Sequence, residues 1–384
     1  MPGIGSSSIP TATANEENAM TQEQIMRILP HFRFQGAFQS MEELKSGNVN
    51  HTYRLVYDDN GARYDYVLQR INTYAFREPA RMMENIAGVT DHLRRALIKN
   101  GESPDRRVLE VIRTVEGQPL YIEGEDVWRA YIFITDAFAY DTVDAAAFRE
   151  VGRGFGNFQK LLIDYPADQL FESIPNFHNT YKRFFQLMRA IDEDKAGRVK
   201  DVRDEIEFFF DRRKMLCSIV ELIEQGVLPL RVTHNDTKSN NVMLDRSTGK
   251  AICVIDLDTV MPGSVLYDYG DAIRFGANTA AEDEPDTSKI SLDLDKARAF
   301  TEGFMEETNG FLTEDELRRL PLGIKVLTGE LAMRFLTDYL DGDLYFKIDY
   351  PQHNLVRTRA QIALLRDIER KEAELQALVD ALIG

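Results

Sequence analysis

Residues 234–241 read His-Asn-Asp-Thr-Lys-Ser-Asn-Asn, and together with the pair of apolar runs just after them they decide the fold. The first run, Val242-Met243-Leu244, leads into a turn at 245–250. The second, Ile252 to Ile255, ends on Asp256. Both runs are short, contain β-branched residues and are bounded by turn formers, which is the pattern of a β-hairpin. In an antiparallel hairpin the start of one strand lies beside the end of the other. Asn241 and Asp256 are therefore expected at the same end, next to the loop that carries Asp236.

Three oxygen-bearing side chains, Asp236, Asn241 and Asp256, then converge. Oxygen donors suit Mg²⁺, which keeps several waters and takes one or two protein carboxylates together with substrate phosphates. The order His-x-Asp-x4-Asn, with a second Asp closing the next hairpin, is that of a phosphotransfer loop. There the first Asp accepts the proton of the substrate hydroxyl, while the Asn and the later Asp hold the metal on the nucleotide. His-x-Asp alone turns up by chance; the Asn five places on and the hairpin Asp give the pattern its weight. The plain alternative is a polar turn joining a buried hairpin to a helix. His234 is expected to brace the loop backbone. Asp258 and Asp271 are nearby carboxylates that either tune the metal or hold the loop.

The chain has 384 residues, 43% hydrophobic and 10% aromatic, enough for two or three lobes and a large core. A formal net charge of −17 argues against nucleic acid and against anionic membrane surfaces, since both ask for basic patches. No apolar run approaches the roughly 18 residues of a membrane span. The two cysteines, Cys217 and Cys253, lie in apolar runs, so no disulfide framework organises the chain and a reducing, cytoplasmic setting is expected. Residues 1–20 are rich in Ser, Thr, Ala, Gly and Pro, without a basic start or an apolar stretch. They read as a disordered tail rather than a signal peptide.

Upstream of the loop the pattern is mostly β. Thr21, with Gln24 three places on, starts a short helix. A strand at 36–44 leads to Lys45-Ser46-Gly47-Asn48-Val49-Asn50, a small-residue turn opening an alternating strand that Asp59-Asn60-Gly61 closes. Such a turn can lay its backbone N–H groups along nucleotide phosphates, which makes Ser46, Gly47, Asn48 and Asn50 nucleotide-binding candidates. Most turns of this kind are only turns. No Gly-x4-Gly-Lys-Ser/Thr occurs. A helix at 78–100 and strands at 108–112, 120–122 and 128–134 complete a small lobe, and Tyr131 to Asp136, with Phe133 in the middle, would be the hinge that offers backbone groups to adenine. Beyond Val143 the chain reads as helical, with an apolar repeat at Phe148, Val151, Phe155, Phe158 and Leu162. Breaks are expected at Gly310 and Pro321 and near Gly342 and Pro351. The acidic stretch 281–286 reads as a solvated face.

Val232-Thr233-His234-Asn235-Asp236-Thr237-Lys238, Asn240-Asn241, Ile255-Asp256-Leu257-Asp258-Thr259, Met261-Pro262-Gly263-Ser264 and Gly270-Asp271-x-Ile273-Arg274 together resemble the aminoglycoside phosphotransferase and choline kinase superfamily. Met333-Arg334-Phe335-Leu336-x-Asp338-Tyr339-Leu340, Tyr345-Phe346 and the run 353–359 are similar to its N-acetylhexosamine 1-kinase branch. The resemblance spans residue 25 to the end. It implies an α+β, protein-kinase-like two-lobed fold, with a β-rich N-lobe (21–136) binding ATP and a larger, mainly helical C-lobe (137–384) binding the sugar. It further implies Mg²⁺-dependent transfer of the ATP γ-phosphate to the anomeric hydroxyl of GlcNAc or GalNAc by a monomer, with Arg334, Tyr345 and Asp236 contacting the sugar. Two departures stand out. Gln69 falls at or beside the place of the usual phosphate-pairing lysine, which would leave that charge to Arg70 or to Mg²⁺. Asn48 stands where relatives can carry His, which bears on the choice of hexosamine if the position touches sugar. A kinase of choline, an aminoglycoside or homoserine on the same fold is the other enzyme reading; a nucleotide-binding pseudokinase is the reading outside catalysis.

Overall fold

The computed structural model describes residues 21–44 and 50–383. The tail at 1–20 and the turn residues Ser46, Gly47 and Asn48 lie outside the described residues. The chain enters through α1 (Gln22–Ile28), where Thr21 and Gln24 cap each other reciprocally. Three antiparallel strands follow, β1 (Ala37–Leu44), β2 (His51–Asp59) and β3 (Ala62–Ile71). The β2–β3 turn is the expected Asn60-Gly61, with φ of 54° and 91°. Next come α2 (Pro79–Lys99), β4 (Val111–Ile112), β5 (Tyr121–Glu123) and β6 (Asp126–Ile132). β6 pairs with β3, and β4 and β5 both pair with β6.

Strand alternation gives this sheet two unlike faces. Tyr53, Leu55, Tyr66, Leu68 and Trp128 pack against Ile25 and Ile28 of α1. Val67, Ile71, Val127 and Tyr131 pack against Met82, Met83 and Ile86 of α2. Parity along a strand therefore decides whether a side chain faces α1 or faces α2 and the other lobe.

β7 (Ala137–Phe138) leads into the helical lobe: α3 (Ala145–Leu161), α4 (Thr180–Glu193) and α5 (Arg203–Glu224). Four short strands come next, β8 (Arg231–Thr233), β9 (Val242–Asp245), β10 (Ala251–Val254) and β11 (Met261–Gly263). Then follow α6 (Val265–Gly276), α7 (Leu294–Thr308), α8 (Glu314–Arg318), α9 (Leu320–Asp341), α10 (His353–Arg370) and α11 (Glu372–Ile383). β9 and β10 form the expected hairpin, with Val242 opposite Val254. β7 adds to β9, and β8 pairs with β11. The α+β, two-lobed architecture expected from the sequence is the observed one.

α6 is buried along almost its whole length and crosses α9 at close range. A Cβ on Gly270 would stand 2.3 Å from the Gly323 carbonyl oxygen, and one on Gly323 2.2 Å from that of Leu266. Glycine at both positions is what lets the helices approach.

Some boundaries differ from expectation. The strand at 108–112 keeps only its last two residues. The break expected at Pro321 falls at Arg319, between α8 and α9, and Pro321 sits in the first turn of α9, where a residue has no intrahelical use for an N–H. The single last helix is two, parted at Lys371, whose Nζ donates to the Leu292 carbonyl and to Asp367. Among the described residues no helix is long and apolar enough to cross a membrane.

Candidate active site

The loop after β8 is held from beneath by α6. Asp268 is fully buried there, and its carboxylate accepts from the N–H of His234 (2.9 Å), the N–H of Asn235 (2.8 Å) and Nε2 of Gln159 (2.8 Å). Burial pushes the Asp268 pKa up, and His234 with these donors offsets only part of that. Thr237 donates its hydroxyl to the Asp268 carbonyl (2.6 Å) and its N–H to Asp271 (3.2 Å). Asp271 is itself clamped by Arg274 at 2.8 Å. Burial would raise the Asp271 pKa, but Arg274, Lys238 and His178 hold it below the ordinary carboxylate value. Asn235 adopts φ 64°, a left-handed conformation that Asn tolerates better than most residues, and its amide donates to the Thr233 and Thr259 carbonyls.

The Asp236 N–H donates to Nδ1 of His234 (3.3 Å). Nδ1 is thus the acceptor, and the ring hydrogen sits on Nε2, which donates to the Ile255 carbonyl (2.9 Å). One imidazole ties Asp236 to the residue before Asp256. Asn241 Nδ2 donates to the Asp236 carbonyl (2.8 Å) and approaches its Oδ2 (3.4 Å), and the Ile255 N–H donates to the Asn241 carbonyl (2.9 Å). The structure thereby brings Asp236, Asn241 and Asp256 to one end of the β9–β10 hairpin. Asp256 sits at φ 60° and is open to water, yet enough protein surrounds its carboxyl group that burial is the main cause raising its pKa. The negative charges of Asp258 and Asp236 add to this, and the pKa is pushed up to about 6. A carboxylate so placed is short of positive charge. Its oxygens and the Asn241 amide oxygen suit a hard cation such as Mg²⁺. Among the described residues no group of three His, Cys, Asp or Glu side chains is arranged to hold a metal. A site of one carboxylate and one amide meets the low protein-ligand demand of Mg²⁺ on phosphates.

Two cations missed in the sequence border this centre. Lys238 Nζ lies 3.0 Å from Asp236 Oδ1. Burial works against its charge, but Asp236, Asp271 and Glu282 keep its pKa above the ordinary lysine value. Its place two residues past Asp236 was the available signal. Arg129, on β6 opposite Gln69, is 1% exposed. It donates Nη1 and Nη2 (2.9 Å) to the two Asp258 oxygens, and Nε to Gln69 Oε1 (2.9 Å). Asp258 is thus held by an ion pair and does not stand free beside a metal.

The other nucleotide-side candidates part company. Gln69 lies on the sheet face toward α2, and its amide donates to Thr52 (3.0 Å). Arg70, one residue on, falls on the opposite face, 3.7 Å from Asp126. Strand parity thus corrects its expected role at the phosphates. The Asn50 amide donates to Asp258 (2.9 Å) and its oxygen accepts from the Asn72 N–H (3.0 Å), so the side chain is engaged by protein and not turned to a ligand. Phe133 lies beneath the Arg54 guanidinium, 4.4 Å from the ring centre, and its N–H is already donated to the Asp65 carbonyl (2.9 Å).

On the other side of the loop, Glu330, Arg334 and Asp338 follow one another at four-residue steps along one face of α9. Glu330 is buried and meets His178 Nδ1 at 3.1 Å. Arg334 is half-buried between Phe177, Phe346 and Tyr345, 5.2 to 5.9 Å from their ring centres, and among the described residues no carboxylate lies within 4 Å of it. Asp338 accepts the N–H groups of Leu344, Tyr345 and Phe346 (2.9, 2.7 and 3.0 Å) and the Asn354 amide (2.8 Å), which folds the segment that sets Tyr345 beside Arg334. Arg334 and Tyr345 are thus brought together. The acidic stretch 281–286 is largely occupied: Glu282 by Arg274, Asp283 by His353, Glu284 by Lys289 and Asp286 by Ser288.

Comparison with known proteins shows the family and the fold. A family model described as "Phosphotransferase enzyme family" matches residues 40–302, a span that contains Asp236, Asn241 and Asp256 and ends before Arg334. The fold is similar to that of a spectinomycin phosphotransferase solved with ADP and spectinomycin, at 14% identity over 95% of this chain and 99% of that one, TM-score 0.51. It is similar also to a choline/ethanolamine kinase family protein from Mesorhizobium loti (16% identity, 91% and 94% covered, TM-score 0.52). A choline kinase from Cryptosporidium parvum Iowa II shares it as well (11% identity, 90% and 93% covered, TM-score 0.52).

Proposed function

Because the chain belongs to the phosphotransferase enzyme family, we propose that it is a small-molecule kinase. Its reaction moves the γ-phosphate of ATP to the anomeric hydroxyl of an N-acetylhexosamine and yields the sugar 1-phosphate. The observation that carries the phosphotransfer is the gathering of Asp236, Asn241 and the charge-starved Asp256 at one end of a hairpin. Residues 21–136 would bind the nucleotide and 137–384 the acceptor. Adenine would lie at the hinge against Phe133, where the Ile134 N–H has no partner among the described residues. The turn with Ser46, Gly47 and Asn48 would cover the phosphates. Asp256 and Asn241 would hold Mg²⁺, which supplies positive charge to the phosphate oxygens during transfer.

Asp236 orients the acceptor hydroxyl and takes its proton as the oxygen–phosphorus bond forms. The bond from the γ-phosphorus to the bridging oxygen breaks, and ADP leaves with the electron pair. Lys238, 3.0 Å from Asp236, keeps that carboxylate in place. The rest of the catalysis is placement, worth several orders of magnitude when reacting atoms are held in line.

Charge is what supports the acceptor class. A choline or an aminoglycoside asks for unpaired acids in the pocket. Here Glu282 and Asp283 are paired, Glu330 is matched by His178, and Arg334 among its aromatic neighbours is the side chain left open. A neutral sugar with an amide carbonyl suits that wall, with Arg334 donating to it and Tyr345 stacking on the ring. The test is a panel of GlcNAc, GalNAc, choline and kanamycin with ATP and Mg²⁺, the product read by phosphorus NMR. Sugar 1-phosphate is the expected product; turnover of choline or kanamycin alone would move the assignment to a cationic acceptor. ATP bound without turnover of any acceptor would mark a pseudokinase.

A further inference from the structure

The cation opposite Gln69 has a role that phosphate binding does not describe. All three Arg129 nitrogens are engaged, Nε by Gln69 and the two terminal ones by Asp258, and the residue is 1% exposed. At that burial it lacks the surface to reach a nucleotide. What it does reach is the loop after Asp256. Asp258 also accepts from Asn50, which leads into β2, and its carbonyl accepts from Ser173 (3.0 Å). Gln69 is tied on to Thr52. β2, β3 and β6 are thereby joined to the Asp256 loop through one carboxylate.

That carboxylate is two residues from Asp256. Without a counter-ion it would be a buried, unpaired charge, and the loop would swing toward water to hydrate it, taking Asp256 out of line with the cation. With the guanidinium fork across both its oxygens it is neutralised and its direction is fixed. We propose that Arg129 is a positioning residue of the phosphotransfer centre, one that clamps Asp258 so that Asp256 alone of the two faces the cation carried by the nucleotide. The inference rests on the proposed function for the presence of a nucleotide, not for the identity of the acceptor.

The test therefore reads binding. Affinity for a non-hydrolysable ATP analogue is measured against Mg²⁺ concentration in the native chain, R129M, R129K and the double variant R129M/D258N. Partners that orient a metal ligand are typically worth about 10- to 100-fold in metal affinity, and R129M is expected to need that much more Mg²⁺ for half-maximal binding. The double variant removes the stranded charge and should recover most of the loss, while adenosine binding stays level in all four. R129K keeps the charge without the fork and should fall between the native chain and R129M; it also supplies the reading if R129M does not fold. Native metal dependence in R129M and R129K, or a double variant as impaired as the single one, would overturn the proposal. A native chain that binds no analogue even with Mg²⁺ would sink the kinase reading and this one together, a result that variant differences cannot mimic.

Discussion

Asp236→Asn keeps the size of the side chain and removes its ability to take a proton. Turnover is expected to fall about 10²- to 10⁴-fold while ATP still binds, checked by steady-state kinetics beside nucleotide titration; near-normal turnover would remove Asp236 from its role. The convergence of this residue with Asn241 and Asp256 was legible in the sequence because all three lie in a short stretch of chain that a hairpin closes. Arg129 was not legible. Its partner lies 129 positions away, and nothing local marks an arginine in a strand as the counter-ion of a distant loop. Arg70 was misplaced for a simpler reason: it is adjacent to Gln69 in sequence, and adjacency in a strand means opposite faces.

Elements carry the proposed acceptor side. Asp338 on α9 organises the segment before α10 by taking three backbone N–H groups and one amide. Asp338→Ala strands those donors, each costing about 1–3 kcal/mol where it stays buried. The expected outcome is a KM for the acceptor raised at least severalfold, with the KM for ATP unchanged, and equal shifts in both would show a merely structural role. The α6–α9 crossing offers a second check. Gly323→Ala has no room against the Leu266 carbonyl and should cost about 1–3 kcal/mol of overpacking, visible as a lower urea midpoint. A third concerns α10. Burial would raise the Asp367 pKa, but Lys371, the Leu292 N–H, Arg370 and Ser291 outweigh it and bring it to about 2. The folded value lies below the unfolded one of about 3.9, so ionised Asp367 stabilises the fold above that pH, and the contribution is lost as pH falls toward 2. Asp367→Asn should flatten that acid limb in denaturation curves recorded across pH. Helix periodicity showed these elements in outline. It did not show their ends, because the Pro321 start and the Lys371 break are set by first-turn geometry and by a lysine reaching another segment.

At the scale of the whole molecule, the two-lobed plan was legible because the order of strands, hairpin loop and helices is itself a topology. What the order does not say is how firmly the halves hold each other. Arg129 and Asn50 grip Asp258, Asn85 of α2 donates to the Val260 carbonyl (3.1 Å), and Arg106 pairs with Asp245 (2.9 Å). The connecting stretch 139–142, by contrast, is exposed and includes Tyr140 at 44%. A site-specific protease acting at a recognition sequence inserted after Tyr140 should therefore yield two fragments that still elute from a sizing column as a single species. They should part company only in denaturant, and fragments separating in plain buffer would mean that the covalent link, rather than these cross-braces, keeps the cleft in register.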